Sequence, residues 1–133
     1  MKILGTNHVA LLTSNFAAMR AFYTEVLEFP VVGAYQGFNI IFLDTGNTTI
    51  ELIERGSEFT PTVGAWDHFA FTVEDTDATT AELEARGVVF HKPPANFPTP
   101  PETRLSYFKD PDGNILELVQ SLGAGLYPKN GLR

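Results

Sequence analysis

The sequence predicts an α+β fold made of two copies of one βαβββ unit. Two stretches each begin with a polar residue and a histidine and continue as an apolar strand and a helix: NHVALLTSNFAAMRAFYTEVLEFPVV from Asn7 and DHFAFTVEDTDATTAELEARGVVF from Asp67. Two β-rich runs centred on Glu-Leu, TTIELIE ending at Glu54 and NILELVQ ending at Gln120, close the two copies. This internal repeat predicts a single domain of two modules, residues 1–63 and 66–121, joined at Gly64-Ala65 and followed by a tail at 122–133.

The first module is predicted to contain a strand, a helix and three further strands. Residues 4–13 form the first strand, and Ser14 or Asn15 can cap a helix that continues to about Leu27. Apolar residues recur at helical spacing in this segment: Phe16, Met19, Phe22, Tyr23, Val26 and Leu27. Strands are expected at residues 31–35, 38–44 and 48–54, with a turn at Thr45-Gly46-Asn47.

The second module repeats this order of elements. Residues 69–73 are predicted as a strand, Asp75 or Thr76 as the cap of a helix that runs to Arg86, and Gly87 as its end. Strands follow at residues 88–91, 104–109 and 115–121. The last two are joined by a hairpin turn at Asp110-Pro111-Asp112-Gly113. A proline-rich insertion, PPANFPTPP at residues 93–101, accounts for the longer spacing in this module.

Composition restricts the classes of function. The 133 residues fit one compact domain, and 44% hydrophobic and 19% charged residues are typical of a globular protein. A net charge of −7 without any basic stripe argues against nucleic acid and against an anionic membrane surface. The absence of cysteine excludes disulfides, thiolate nucleophiles and sulfur-ligated zinc. We find no signal peptide and no run long enough to span a bilayer, so we expect a soluble cytoplasmic protein.

Four ionisable residues of the repeat indicate a metal site. Because strand side chains alternate, His8 and His68 are expected on the sheet face away from the helix of each module. Glu51 and Glu117 lie on the same face, since the apolar residues beside them face the helix. Each alone could be an ordinary solvent-facing residue, but a histidine on the first strand and a glutamate on the fourth recur in both modules. We therefore predict that these four residues bind one divalent metal ion, for which nickel, zinc, cobalt, manganese and iron(II) are suited.

The last hairpin suggests further side chains for this site. Pairing across the turn is expected to set Ser106 opposite Glu117 and Arg104 opposite Val119, so that Arg104, Ser106 and Phe108 line the concave face. Arg104 is a candidate anchor for a substrate carboxylate, and it is equally a candidate structural arginine at the rim. We count Arg104 and Ser106 as substrate-binding candidates.

Phe42 is a third substrate-binding candidate. Together with Ile40 it shares the face of Glu51 and suggests an apolar floor, more typical of packing than of specificity. His91 has no counterpart in the first module, and we interpret it as a surface residue.

The chain resembles the vicinal oxygen chelate superfamily, which includes glyoxalase I, fosfomycin-resistance proteins, extradiol dioxygenases and bleomycin-binding proteins. NHVAL with FYTEVLEF downstream, and YFKDPDGNILEL near the end, carry a resemblance that extends from Asn7 to about Gln120. It implies paired βαβββ modules that form an eight-stranded, cup-shaped mixed sheet around a metal and bind a small-molecule substrate. Such a cup is closed within one chain or by halves of two chains. Because the link at Gly64-Ala65 is short and many strand edges are apolar, we expect a homodimer.

Within that superfamily the four ligands are most similar to the glyoxalase I pattern. Fosfomycin-modifying enzymes and extradiol dioxygenases generally use two histidines and one glutamate, which match His8, His68 and Glu117. Bacterial glyoxalase I adds a glutamate at the place of Glu51, and bleomycin binders generally lack these ligands. The resemblance implies a metal-dependent lyase or isomerase of the lactoylglutathione lyase type. It would abstract a proton next to a metal-bound carbonyl, with Glu117 as the base and Glu51 as the alternative base.

One departure from the family pattern concerns glutathione. Bacterial glyoxalase I holds glutathione with an arginine and an asparagine at the positions occupied here by Leu12 and Arg55, so recognition of glutathione does not carry over. Two other classes therefore stay open. One is a different metal enzyme on the same cup, either an extradiol dioxygenase or an epoxide-opening antibiotic-resistance protein. The other is a metal-free binding protein for small molecules.

Overall fold

The computed structural model describes residues 7–56, 68–98 and 102–123. These residues belong to two compact units, and the division between them falls between Gly64 and Ala65. The predicted link at these two residues lies outside the described residues, as do positions 4–6 of the first predicted strand and nearly all of the tail. In the described part of the chain, no helix is long and apolar enough to cross a membrane.

The first unit is a four-stranded mixed sheet with one helical segment. Its strands are β1 (His8–Thr13), β2 (Val31–Ala34), β3 (Ile40–Asp44) and β4 (Thr49–Glu54), and its helix is α1 (Phe16–Ala21). The strand order is β1-β4-β3-β2, with β1 parallel to β4 and the other neighbours antiparallel. The predicted helix continues beyond α1 as a π-helical turn, Phe22–Val26, and Asn15 occupies its N-cap position without a capping side-chain hydrogen bond.

The second unit has the same topology. Its elements are β5 (Phe69–Thr72), α2 (Thr76–Ala85), β6 (Phe90–Asn96), β7 (Thr103–Lys109) and β8 (Ile115–Ser121), with the strand order β5-β8-β7-β6. The Asp75 carboxylate caps α2 by accepting a hydrogen bond of 2.9 Å from the Ala78 N–H. Gly87 follows the helix with a φ of +91°, which a glycine adopts without strain. The predicted α+β class of two βαβββ modules is confirmed.

β6 differs from its prediction. The sequence predicts a strand that ends at His91, before the proline-rich insertion, but β6 continues through Pro93 and Pro94 to Asn96. β6 is an edge strand of its sheet, and its pairing with β7 is irregular on both sides of Lys92. Because proline lacks an N–H, it is tolerated at an edge or a bulge, where no ladder hydrogen bond is lost.

The helix-facing side of each sheet forms the core. In the first unit the fully buried apolar residues are Met19, Tyr23, Leu43, Ile50 and Leu52. In the second unit the buried apolar residues of this side are Leu83, Phe108, Leu116 and Leu118, whereas Val119 is buried on the opposite face of the sheet, that of Glu117. Burial of one such side chain contributes about 1.5–3 kcal/mol. Since the apolar side chains of β4 and β8 alternate with Glu51 and Glu117, the core directs both carboxylates to the opposite sheet face.

Candidate metal centre

In the first unit His8 and Glu51 form a pair. The parallel register sets His8 level with Thr49, so Glu51 lies two residues further along β4 on the same face. The small side chain of Ala10, opposite Glu51, leaves room for the carboxylate. His8 Nε2 is 3.1 Å from Glu51 Oε2, and the two side chains are 37% and 13% exposed.

The second unit contains an equivalent pair. Phe69 is level with Leu116, which places His68 level with Ile115 and Glu117 two residues further along β8. His68 Nε2 is 2.9 Å from Glu117 Oε2, and the side chains are 33% and 8% exposed. The repeat seen in the sequence is therefore reproduced in strand register and in contact geometry.

His8 has an oxygen close to each of its ring nitrogens. Nδ1 is 2.7 Å from Asn7 Oδ1, and Nε2 is 3.1 Å from Glu51 Oε2. The tautomer with its hydrogen on Nδ1 donates to Asn7 and leaves Nε2 as the nitrogen that can bind a metal ion. Metal-binding histidines commonly donate their other ring N–H to an oxygen in this way.

The donor sets of both pairs fit a divalent transition metal. Imidazole nitrogen and carboxylate oxygen bind such ions at about 2.0–2.2 Å, so two ligands at right angles lie about 3 Å apart. The observed separations are 3.1 Å and 2.9 Å. Within the described residues of either unit, no third His, Asp or Glu joins its pair to form a metal-binding group. One pair supplies two ligands, so the four-ligand site requires both pairs on one ion, and it stays a prediction.

An aromatic ring on the third strand of each unit contacts the histidine. Phe42 is opposite Glu51, on the face predicted for it, and lies edge-to-face with His8 at a centroid distance of 5.7 Å. Tyr107 is opposite Glu117 and lies edge-to-face with His68 at 5.8 Å. Tyr107 is not among the residues predicted from the sequence, although it takes the place of Phe42 in the repeat, on the third strand of the unit opposite the glutamate.

The predicted register of the last hairpin was wrong by one residue. Tyr107, not Ser106, is opposite Glu117, and Arg104 is opposite Gln120. Because side chains alternate between faces, a slip of one residue moves every side chain of the strand to the other side of the sheet. Arg104, Ser106 and Phe108 therefore lie on the helix-facing side.

The cause of the shift is the number of residues in the loop. Lys109 pairs with Ile115, which leaves five residues between the paired positions. The Asp110 carboxylate accepts hydrogen bonds from the Asn114 N–H at 2.9 Å and from its side-chain amide at 2.7 Å. Gly113 adopts a φ of +87°, as in hairpins whose type I turn is followed by a left-handed residue.

The contacts of the three displaced residues are structural. Ser106 Oγ lies 2.9 Å from Thr80 Oγ1 of α2, and Phe108 is fully buried. The Arg104 guanidinium donates two hydrogen bonds to the carboxylate of Asp77, also on α2. The hydrogen bond from Arg104 lowers the pKa of Asp77. Arg104 and Ser106 were substrate-binding candidates because they were expected to line the concave face. That expectation is wrong, since both lie on the helix-facing side of the sheet.

Comparison with known proteins gives a family and several similar folds. The family model described as Glyoxalase/Bleomycin resistance protein/Dioxygenase superfamily matches residues 5–118. A virulence protein from Salmonella typhimurium is 26% identical, with 92% of this chain and 100% of that chain covered and a TM-score of 0.74. TnmS3, an antibiotic binding protein from Streptomyces sp. CB03234, is 25% identical, with coverages of 91% and 98% and a TM-score of 0.73.

An enzyme is also among the similar structures. A lactoylglutathione lyase from Agrobacterium tumefaciens is 22% identical, with coverages of 90% and 95% and a TM-score of 0.66. At that identity the likeness shows the fold alone. None of the curated protein sequences matches the chain.

Proposed function

Since the chain belongs to the Glyoxalase/Bleomycin resistance protein/Dioxygenase superfamily, we propose that it is a metal-dependent enzyme of the glyoxalase type. It removes a proton from a carbon next to a carbonyl group of a small molecule. The observation that carries the proposal is the His–Glu pair that occurs in both units at matching register, with N···O separations of 3.1 Å and 2.9 Å. Both pairs lie on the sheet face opposite the core, where the packing of the core does not require them.

The proposed ligands are His8, Glu51, His68 and Glu117, holding one divalent ion such as nickel, zinc, cobalt, manganese or iron(II). Nitrogen and carboxylate donors suit all of these ions. When bound, the ion acts as a Lewis acid that polarises the substrate carbonyl and makes the neighbouring C–H bond more acidic. Asn7 orients the His8 ring before any ligand arrives, which lowers the cost of assembling the site.

The chain itself supplies the base. We assign proton abstraction to the Glu117 carboxylate, with Glu51 as the alternative. The Glu117 side chain is 8% exposed and has Tyr107 opposite it on β7, so a proton held there has little access to bulk water. Phe42 gives Glu51 a comparable apolar neighbour.

The proposal does not specify whether the reaction uses a thiol such as glutathione as a cosubstrate. Leu12 lies on the His8 face of β1 and offers no polar contact to a glutathione carboxylate. Arg55 follows β4, is exposed, and donates its backbone N–H to the Thr13 carbonyl at 2.7 Å. The substrate screen therefore includes the methylglyoxal–glutathione hemithioacetal together with 2-hydroxycarbonyl compounds that carry no thiol.

The test is metal binding by the purified protein. We expect one metal ion per set of four ligands and a lower melting temperature in the presence of a tight chelator. A ligand at 100 times its Kd stabilises the folded state by about 2.7 kcal/mol. Glu51→Ala and His68→Ala should remove most of this difference. The matched control is Glu54→Ala, which removes an exposed carboxylate of the same strand whose partner is Asn39. No bound metal and identical melting temperatures would contradict the proposal.

A second candidate is a small-molecule binding protein that uses no metal. Two observations favour it: each histidine is in direct contact with its glutamate within its own unit, and an antibiotic binding protein is 25% identical to the chain. Absence of metal together with a ligand-induced rise in melting temperature would establish it. Ring cleavage of a catechol with iron(II) and oxygen, or opening of an epoxide, would instead identify another metal enzyme of the superfamily.

We also propose that the protein forms a homodimer and is cytoplasmic. Light scattering at micromolar concentration tests the first point, and cell fractionation tests the second. β2 is an edge strand of its sheet. Four large apolar side chains are exposed on β2 and in the turn that follows it, as expected of a surface that is covered in an assembly: Val31, Val32, Tyr35 and Phe38.

A further inference from the structure

A β-bulge in β6 brings two basic side chains to the same ring. Phe90 pairs with Phe108 and Lys92 pairs with Tyr107, so His91 is an extra residue between two paired positions. Successive side chains of a regular strand point to opposite faces, but a bulge re-aims them. The His91 ring lies 6.2 Å from the Tyr107 ring between centroids, and Lys92 Nζ lies 5.0 Å from the Tyr107 centroid.

Tyr107 connects these basic groups to the His–Glu pair. It is the residue opposite Glu117, and its ring also lies edge-to-face with His68. We call His91, Lys92 and Tyr107 the cationic wall. Lys92 and His91 are both exposed, and the Lys92 ammonium lies over the Tyr107 ring on the Glu117 face of the sheet.

The corresponding place in the first unit has a different chemistry. Phe42 takes the position of Tyr107, and its ring lies across Gly33, where an added Cβ would be 3.5 Å from Phe42 Cδ2. Tyr35 is the next aromatic ring, at a centroid distance of 5.8 Å from Phe42. The two units therefore match in the His–Glu pair and differ in the residues beside it. Such a difference is expected where a protein recognises the unequal ends of a substrate.

We propose that the cationic wall binds an anionic group of the substrate, a carboxylate or a phosphate. This inference rests on the proposed function, because it places the reacting carbonyl at the neighbouring His68–Glu117 pair. The Lys92 ammonium has three donors, and the His91 ring has an N–H in either neutral tautomer, so both form charge-assisted hydrogen bonds with an oxyanion. In a chain with net charge −7, two neighbouring basic side chains favour an anionic ligand locally.

Three hydroxamates test the wall by isothermal titration of the manganese-loaded protein. All three chelate a metal through two oxygens: acetohydroxamate has no further charge, succinate monohydroxamate adds a carboxylate, and phosphonoacetohydroxamate adds a phosphonate. Lys92→Gln should weaken binding of the anionic probes about fivefold, the upper end for an exposed charge pair, and change binding of acetohydroxamate less than twofold. Lys92→Arg should retain affinity. Arg86→Gln, which removes a cation directly after α2 that is paired with Glu82, is the charge-matched control.

The outcomes separate this inference from the proposed function. If the variants lose affinity for the phosphonate probe alone, the anionic group of the substrate is a phosphate. If they lose affinity for the succinate probe alone, it is a carboxylate. If Lys92→Gln and His91→Gln bind all three probes with the affinity of the wild type, the cationic wall is not an anion site. The proposal of a metal centre is then still supported.

If acetohydroxamate does not bind, the proposal of a metal centre is contradicted, and the cationic wall is tested in the metal-free protein. Acetate or inorganic phosphate should then shift the NMR signals of residues 91, 92 and 107 in the wild type and not in the His91→Gln, Lys92→Gln double variant. Equal shifts in both proteins, or none in either, overturn the inference.

Discussion

The two glutamates allow a controlled test of which carboxylate removes the substrate proton. Their environments are nearly equivalent: Glu51 lies 3.1 Å from its histidine with 13% of its side chain exposed, and Glu117 lies 2.9 Å from its own with 8% exposed. Substitution by glutamine keeps the size of the side chain and one oxygen that can still bind a metal. Effects on folding and on metal binding should therefore be similar in Glu51→Gln and Glu117→Gln. A difference in turnover then reports on proton transfer.

The expected magnitude comes from the role of a positioned base. General base catalysis contributes about 10²- to 10⁴-fold to a rate. At about 1.4 kcal/mol for each factor of ten, this is roughly 3–5 kcal/mol of transition-state stabilisation. We expect Glu117→Gln to lose at least about 10²-fold in turnover. Glu51→Gln should lose less than about tenfold, since the base is intact and a neutral ligand leaves the metal a somewhat stronger Lewis acid.

Deuterium exchange at the substrate carbon, measured on metal-loaded samples, isolates the proton-transfer step from metal occupancy. Glu54→Gln is the control, because it neutralises an exposed carboxylate of β4 that is hydrogen bonded to Asn39. Abolished exchange in Glu51→Gln with normal exchange in Glu117→Gln would reverse the assignment. Normal exchange in both variants would refute proton abstraction by either carboxylate.

Three further predictions concern stability. Asp110→Ala should lower the free energy of unfolding by about 2–3 kcal/mol in urea denaturation, because its buried carboxylate organises the last hairpin. Thr80→Val and Ser106→Ala should each lower the free energy of unfolding by about 1–2 kcal/mol, because each change leaves one buried hydroxyl unpaired. The double variant should lose less than the sum of the two single losses. The pKa of Asp77 is lowered by Arg104, so its stabilisation is present at neutral pH and lost as the pH falls through that lowered pKa. Urea midpoints of Asp77→Asn should lie below those of the wild type at pH 7 and converge with them in the acid range below about pH 4.

The sequence by itself determined the duplicated βαβββ order and the sheet face on which each of the two histidines and two glutamates lies. Both follow from local rules. Alternation along a strand sets His8 and Glu51 on the face opposite the core, and the repeat does the same for His68 and Glu117. The ends of α2 were equally predictable, because Asp75 and Gly87 act on the backbone within a few residues.

Only the tertiary structure decided which side chains accompany the pairs. Tyr107 rather than Ser106 is opposite Glu117 because hydrogen bonds to Asp110 close a hairpin loop of five residues. A shift of the strand register by one residue moves every side chain of β7 to the other face of the sheet. His91 and Lys92 both reach Tyr107 because β6 bulges where it pairs with β7. Strand register and bulges depend on hydrogen bonds between different strands, and alternation within a single strand carries no information about that pairing.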